Sequence, residues 1–149
     1  MRSRGPVFVV PPYCDELFPY RDFPPWQAVG RALALVASVT ARRAKPTHFK
    51  YLEVALLQAS QRLVAVALGD LPPIRWYRRA RAAVDRLERA KLAIVDYVAA
   101  GALELSEAQE LVDAIDAAIG ALAEEVARVP LPDEVRARLP EWSTMGLLR

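Results

Sequence analysis

Residues 106–129 read Ser-Glu-Ala-Gln-Glu-Leu-Val-Asp-Ala-Ile-Asp-Ala-Ala-Ile-Gly-Ala-Leu-Ala-Glu-Glu-Val-Ala-Arg-Val. Ser106 and Gln109 fit a Ser-x-x-Gln capping box, with Ser106 as the expected N-cap. Leu111, Ile115, Ala118, Leu122, Val126 and Val129 then follow at steps of four, three, four, four and three. This is the return period of one face of an α-helix, and such a face must be covered by neighbours.

Proline placement shows where those neighbours can run. Six of the 12 prolines (6, 11, 12, 19, 24, 25) fall in the first 25 residues, three (46, 72, 73) punctuate the middle and three (130, 132, 140) follow residue 129. Because proline breaks helix interiors but is tolerated in first turns and loops, the long proline-free stretches predict helices. The first runs from about Pro25 to Arg43, with Asp22 as its cap and Trp26, Val29, Leu33, Val36 and Thr40 on its face. The second begins after Thr47 as N-cap and ends near Leu68. The third follows Leu71-Pro72-Pro73 and ends at about Ala100, before Gly101. Only Val7–Val10 departs from helical patterning. The expected architecture is an all-α, antiparallel up-down-up-down four-helix bundle over residues 22–129. An extended Pro-rich N-terminal arm (1–21) precedes it, and a tail (130–149) with one short helix near 133–139 follows.

The second helix is apolar almost all round, with Phe49, Leu52, Val54, Ala55, Leu56, Leu57, Leu63, Val64, Val66 and Leu68 around most of the cylinder and Lys50, Glu53 and Gln61 filling only a narrow polar strip. One bundle core cannot cover that much apolar surface, so a homo-oligomer is expected. The competing expectation is a monomer with arm and tail folded over this helix.

A net charge of +2 conceals a segregation. From Arg31 to Lys91 there are 13 basic and 4 acidic residues, whereas Leu92 to Glu134 holds 10 acidic and one basic. On the third helix Arg75, Arg78, Arg79, Arg86 and Arg89 fall within a band of about 100°, running about 21 Å along the axis. Trp76, Ala80, Ala83, Val84, Leu87, Ile94 and Val98 take the core side. A second basic cluster, Arg42, Arg43, Lys45, His48 and Lys50, marks the corner between helices one and two. Arginine forks suit phosphate, so both groups are candidate nucleic-acid contacts. The alternative is a solvated face whose arginines pair with Asp85, Glu88 or the acids of helix four.

The chemistry-bearing residues are few. One histidine, His48, leaves no two-histidine mechanism or zinc motif, and the lone Cys14 leaves no internal disulfide. The six glycines are scattered singly, without a phosphate loop. Helix four turns Leu, Ile, Val and Ala inward rather than carboxylates. No enzyme, metal or cofactor is expected. Val7–Val10 is too short for a signal-peptide core, and no run reaches the roughly 18 apolar residues of a membrane helix. A soluble, cytoplasmic protein without a membrane partner is expected. Asn is absent and Gln occurs four times, which fits a thermophilic or high-GC source.

Phe49-Lys50-Tyr51-Leu52-Glu53-Val54-Ala55-Leu56-Leu57 and Leu103-Glu104-Leu105-Ser106-Glu107-Ala108-Gln109-Glu110-Leu111 resemble segments of the accessory variability determinant (Avd) proteins of diversity-generating retroelements. The related bundle proteins encoded in rRNA intervening sequences are similar too. The likeness spans about residues 22–129. It implies a non-catalytic accessory factor that forms a pentameric barrel, binds a reverse transcriptase and its template RNA, and supports mutagenic cDNA synthesis and retrohoming. It also implies basic character near Arg89, Arg86 and Arg79. The Pro-rich arm, the tail and the acidic fourth helix depart from that pattern. The second expectation, of a different class, is a structural or protein-interaction bundle with no nucleic-acid role.

Overall fold

A computed structural model describes residues 8–9, 19–43, 49–68 and 70–137 of the chain. Among these, four long helices dominate: α1 (Pro24–Ala41), α2 (Lys50–Leu68), α3 (Pro73–Ala99) and α4 (Leu105–Ala127), followed by the single turn α5 (Asp133–Arg136). The four pack as a bundle in which α2 contacts α1 and α3, while α4 contacts α3 and α1. The chain is not helical throughout. Phe8–Val9 (β1) pairs antiparallel with Asp70–Leu71 (β2), Phe8 opposite Leu71, so part of the region exempt from helical patterning forms a two-residue ladder. The turn Pro19–Asp22 is 3-10 helical and touches α1 and α2, so the described pieces of the Pro-rich arm lie on the bundle.

Each helix start follows its local chemistry. Pro24 and Pro25 occupy the first turn of α1, where proline's missing N–H costs nothing. The N-cap there is Phe23 in extended backbone, not Asp22, which belongs to the preceding 3-10 turn. Phe23 is buried, so the chain enters α1 by packing rather than by a side-chain cap. The fourth helix also begins earlier than its serine suggests. Glu104 is the N-cap and Glu107 the N3 residue of the capping box, and the Glu104 N–H donates to Glu107 Oε1 at 3.2 Å. The i,i+3 logic holds, but two residues upstream of Ser106 and Gln109. Leu103 and Ala108, at the staple positions either side, are both buried. The expected Thr47 cap lies outside the described residues.

The end of α3 is a Schellman turn. Gly101 has φ +76°, its N–H donates to Val98 O at 3.0 Å, and the Ala102 N–H donates to Tyr97 O at 2.8 Å. The chain reverses there and enters α4 within a few residues. The tail helix is shorter than the predicted 133–139, because α5 closes at Arg136.

The core is one cluster drawn from all four long helices. On α3 it takes Trp76, Ala80, Ala83, Val84, Leu87, Ala90 and Ile94, the face predicted from spacing. On α1 the buried set is Pro25, Ala28, Val29, Ala32, Val36 and Val39, so Trp26, Leu33 and Thr40 sit at its margin rather than inside. The buried Trp76 Nε1–H donates to Val66 O at 3.0 Å, tying the first turn of α3 to the last of α2. At the other end Tyr97 Oη accepts the Tyr51 N–H at 3.2 Å, satisfying one of the orphan donors at the start of α2. By length and composition α2 is apolar enough to cross a membrane, although Lys50, Glu53, Gln58, Ser60, Gln61 and Arg62 break it up and it holds no run of 18 apolar residues. It is packed on both flanks in the bundle, however, with Leu52, Ala55, Leu56, Ala59, Leu63, Val66 and Ala67 buried.

Candidate nucleic-acid interface

The arginines of α3 stand where the helical projection puts them, opposite its buried face. Arg75, Arg78, Arg79 and Arg89 are exposed and Arg86 is half-buried. Among the described residues none of the five makes an ion pair. The pairs that form use other cations: Arg81 with Asp85 on α3 itself at 3.5 Å, Lys91 with Asp116, Arg128 with Glu125, and Arg43 with Glu107.

The basic corner is divided. Arg43 turns inward, where its Nη2 donates to Glu107 Oε1 and to Ala102 O, both at 2.8 Å, and its guanidinium lies 5.7 Å from the Phe49 ring centroid. Arg42 is exposed and donates to Ser38 Oγ on its own helix at 3.3 Å. Lys50 is exposed at the mouth of the α2–α3 furrow. Lys45 and His48 lie outside the described residues, as does Cys14.

That furrow contains the site's main features. Three hollows run in series between α2 and α3. One of about 270 Å³ is lined by Gln58, Gln61, Arg62, Ala65 and Arg79. The next, of about 430 Å³, is lined by Lys50, Tyr51, Val54, Ala55, Gln58, Arg86, Arg89 and Ala93. The last, of about 480 Å³, is lined by Tyr51, Arg89, Leu92, Ala93, Asp96, Tyr97 and Ala100. Gln58 is common to the first two, and Tyr51, Arg89 and Ala93 to the last two, so the hollows form one groove. Arg75 and Arg78 continue the basic face beyond it on the first turns of α3.

Electrostatically the groove is under-compensated. Burial pushes the Arg86 guanidinium below arginine's ordinary pKa; the like charges of Arg89 and then Arg62 push the same way, and Asp85 opposes them. Arg62 Nε is shielded from solvent and has no hydrogen-bond partner among the described residues. Among the described residues Arg62, Arg79, Arg86 and Arg89 make no ion pair, although Asp85 and Asp96 stand nearby, and such a cluster of cations suits an anion. Arg62, Tyr51 and Tyr97 are absent from the sequence-predicted site. Their signal is angular: Tyr51 and Arg62 project to nearly the same side of α2, and only its pairing with α3 gives that side a meaning.

Apolar groups share the surface. Tyr51 is 76% exposed, Leu57 51%, Leu92 49% and Val54 42%. The surplus apolar surface expected on α2 is therefore present on its outer side. Among the described residues no three His, Cys, Asp or Glu side chains gather as a metal site. No protein-family model matches the chain, and neither a curated protein nor a solved structure shows significant similarity to it.

Proposed function

We propose that this chain is a non-catalytic nucleic-acid-binding bundle that works as a homo-oligomer, its α2–α3 face laid against RNA. On the resemblance to Avd proteins, its partner enzyme is a reverse transcriptase and its role is to support mutagenic cDNA synthesis. The observation that carries the proposal is the arginine face of α3, five cations without an ion pair among the described residues, joined across a groove by Arg62 and Lys50 from α2. In the same proposal the helices alternate up and down around the bundle, with α2 and α3 antiparallel between the Trp76–Val66 and Tyr51–Tyr97 contacts. Self-association uses the outer stripe of α2, where Leu57 and Leu68 are exposed.

The test is a combined Arg75→Glu, Arg79→Glu, Arg86→Glu and Arg89→Glu variant. It should lose RNA in a binding titration at moderate salt while keeping helix content and light-scattering mass. Unchanged binding disposes of the proposal. The second reading, a protein-interaction bundle, is favoured by the exposed acids Glu110, Asp113 and Glu124 of α4, which suit the arginines of a neighbouring copy. It predicts an assembly that falls apart with salt and binds no RNA. A steep linear fall of log affinity for RNA with log salt excludes it.

A further inference from the structure

The groove offers two chemistries in one place, a row of guanidinium groups and an aromatic ring displayed to solvent. Among the described residues Tyr51 is the most exposed of the large aromatic side chains. Its ring stands between the two larger hollows and lines both. The ring's base is fixed, because the Tyr51 N–H is held by Tyr97 Oη at 3.2 Å and Tyr97 is itself wedged edge-on against Phe49 at 5.0 Å. Arg89 lines the same two hollows and Arg86 the one beside Lys50.

We infer that this groove takes single-stranded nucleic acid, with backbone phosphates along Arg79, Arg86 and Arg89 and a base stacked on Tyr51. This rests on the nucleic-acid proposal above and narrows it from RNA of either form to a single strand. A duplex presents phosphates at its surface while its bases are already stacked on one another, so it would use the arginines and leave the tyrosine idle. A single strand carries free base faces, and proteins that grip one combine a positive groove with aromatic platforms in this way. Val54 lines the hollow beside Lys50 and Ala93 lines both, apolar surface that suits the face of a base and not a phosphate. Charge complementarity selects nucleic acid over a second copy docked face to face, which would press arginine against arginine. The outer apolar stripe at Leu57, about 120° around α2 from Tyr51 at 100° per residue, remains for self-association.

The experiment measures fluorescence anisotropy of the full chain with a labelled, unstructured oligouridylate and with an RNA duplex of equal length. The chains compared are the wild type, Tyr51→Phe and Tyr51→Ala. The wild type should prefer the single strand. Tyr51→Ala should weaken single-strand binding about tenfold and leave duplex binding unchanged, and Tyr51→Phe should keep the affinity. Because the side chain is exposed and the Tyr97 bond is made by the backbone, both variants should keep the helix content of the parent. Single-strand binding by Tyr51→Ala equal to wild type, or an equal loss for both ligands, overturns the inference. So does a fall in light-scattering mass in Tyr51→Ala, which makes the ring part of a contact between copies. If Tyr51→Ala is silent while the fourfold arginine variant loses RNA, only this inference fails; if neither change affects binding, the nucleic-acid proposal fails with it.

Discussion

Arg43 and Glu107, 64 residues apart in the chain, meet at 2.8 Å where the end of α1 reaches the first turn of α4. The same guanidinium donates to Ala102 O in the α3–α4 turn and lies over Phe49 at the threshold of α2. Glu107 Oε1 also accepts the Glu104 N–H, so one carboxylate both caps α4 and anchors α1. The pair is only slightly exposed, and water screens it little.

Arg43 is therefore a structural clamp, and its substitution should separate stability from binding. Arg43→Met removes two charge-assisted hydrogen bonds and leaves Glu107 short of a partner, which should cost about 2–3 kcal/mol. A urea titration reads this as a lower midpoint at unchanged slope. RNA affinity of the folded protein should stay within about twofold, since a charge held inside the bundle releases no counterion from the nucleic acid. Arg43→Lys should recover only part of the stability, because a compact ammonium loses the planar guanidinium contact with the Phe49 ring.

The same residue marks how far the sequence could be read. Helical periodicity located the four long helices and the outward side of α3, because apolar spacing and proline placement are local signals. It placed Arg43 in a surface cluster beside Arg42, Lys45 and Lys50, since nothing local says that position 43 faces the turn after α3. The groove was half legible for the same reason. Its α3 wall could be projected from Arg75 to Arg89, while Arg62 and Tyr51 gain their role only from which helix lies alongside α2. The shift of the α4 cap from Ser106 to Glu104 is of the same kind. Two overlapping i,i+3 pairs compete there, and the one whose glutamate is also held by Arg43 prevails.

Lys91 is 1% exposed and paired with Asp116 of α4. Lys91→Met should destabilise the bundle by about 3 kcal/mol, because Asp116 loses its cation at a poorly solvated position. The double variant Lys91→Met with Asp116→Leu should recover most of that loss, apolar side chains packing where the ion pair was. Chemical denaturation of the wild type, both single variants and the double variant gives the coupling between the two sites. An additive double variant would contradict a buried pair.

Arg86 should trade stability for binding. Burial first, then Arg89 and Arg62, hold its pKa below the ordinary arginine value, with Asp85 opposing. The folded state therefore disfavours the charged form relative to the unfolded chain. The resulting cost is present at every pH below the lowered pKa and fades only in strongly alkaline solution, as the proton is lost. Across neutral pH the group stays charged, so RNA binding should be flat with pH. Arg86→Gln should hold or raise thermal stability, more so at low salt, where like charges are least screened. It should also weaken RNA binding and reduce the magnitude of the log–log salt slope by about 0.7–0.9. A loss of stability in Arg86→Gln at low salt would contradict the repulsion.

Two glycines should respond to alanine with opposite signs. Gly101 holds φ +76° at the Schellman turn, and a Cβ added there would meet nothing within 4 Å, so the cost of Gly101→Ala is purely conformational. It should be about 1–2 kcal/mol, the penalty of a left-handed backbone for an L side chain. Gly120 lies inside α4, also with nothing within 4 Å of an added Cβ. Gly120→Ala should stabilise by about 0.5–1 kcal/mol, through the higher helix propensity of alanine and the lower entropy of its unfolded chain. Paired urea titrations test both signs at once, and light scattering of Gly120→Ala adds a readout of assembly. Lost stability together with a reduced mass would mean that a neighbouring copy packs against this face of α4, because among the described residues the added methyl group meets nothing within 4 Å.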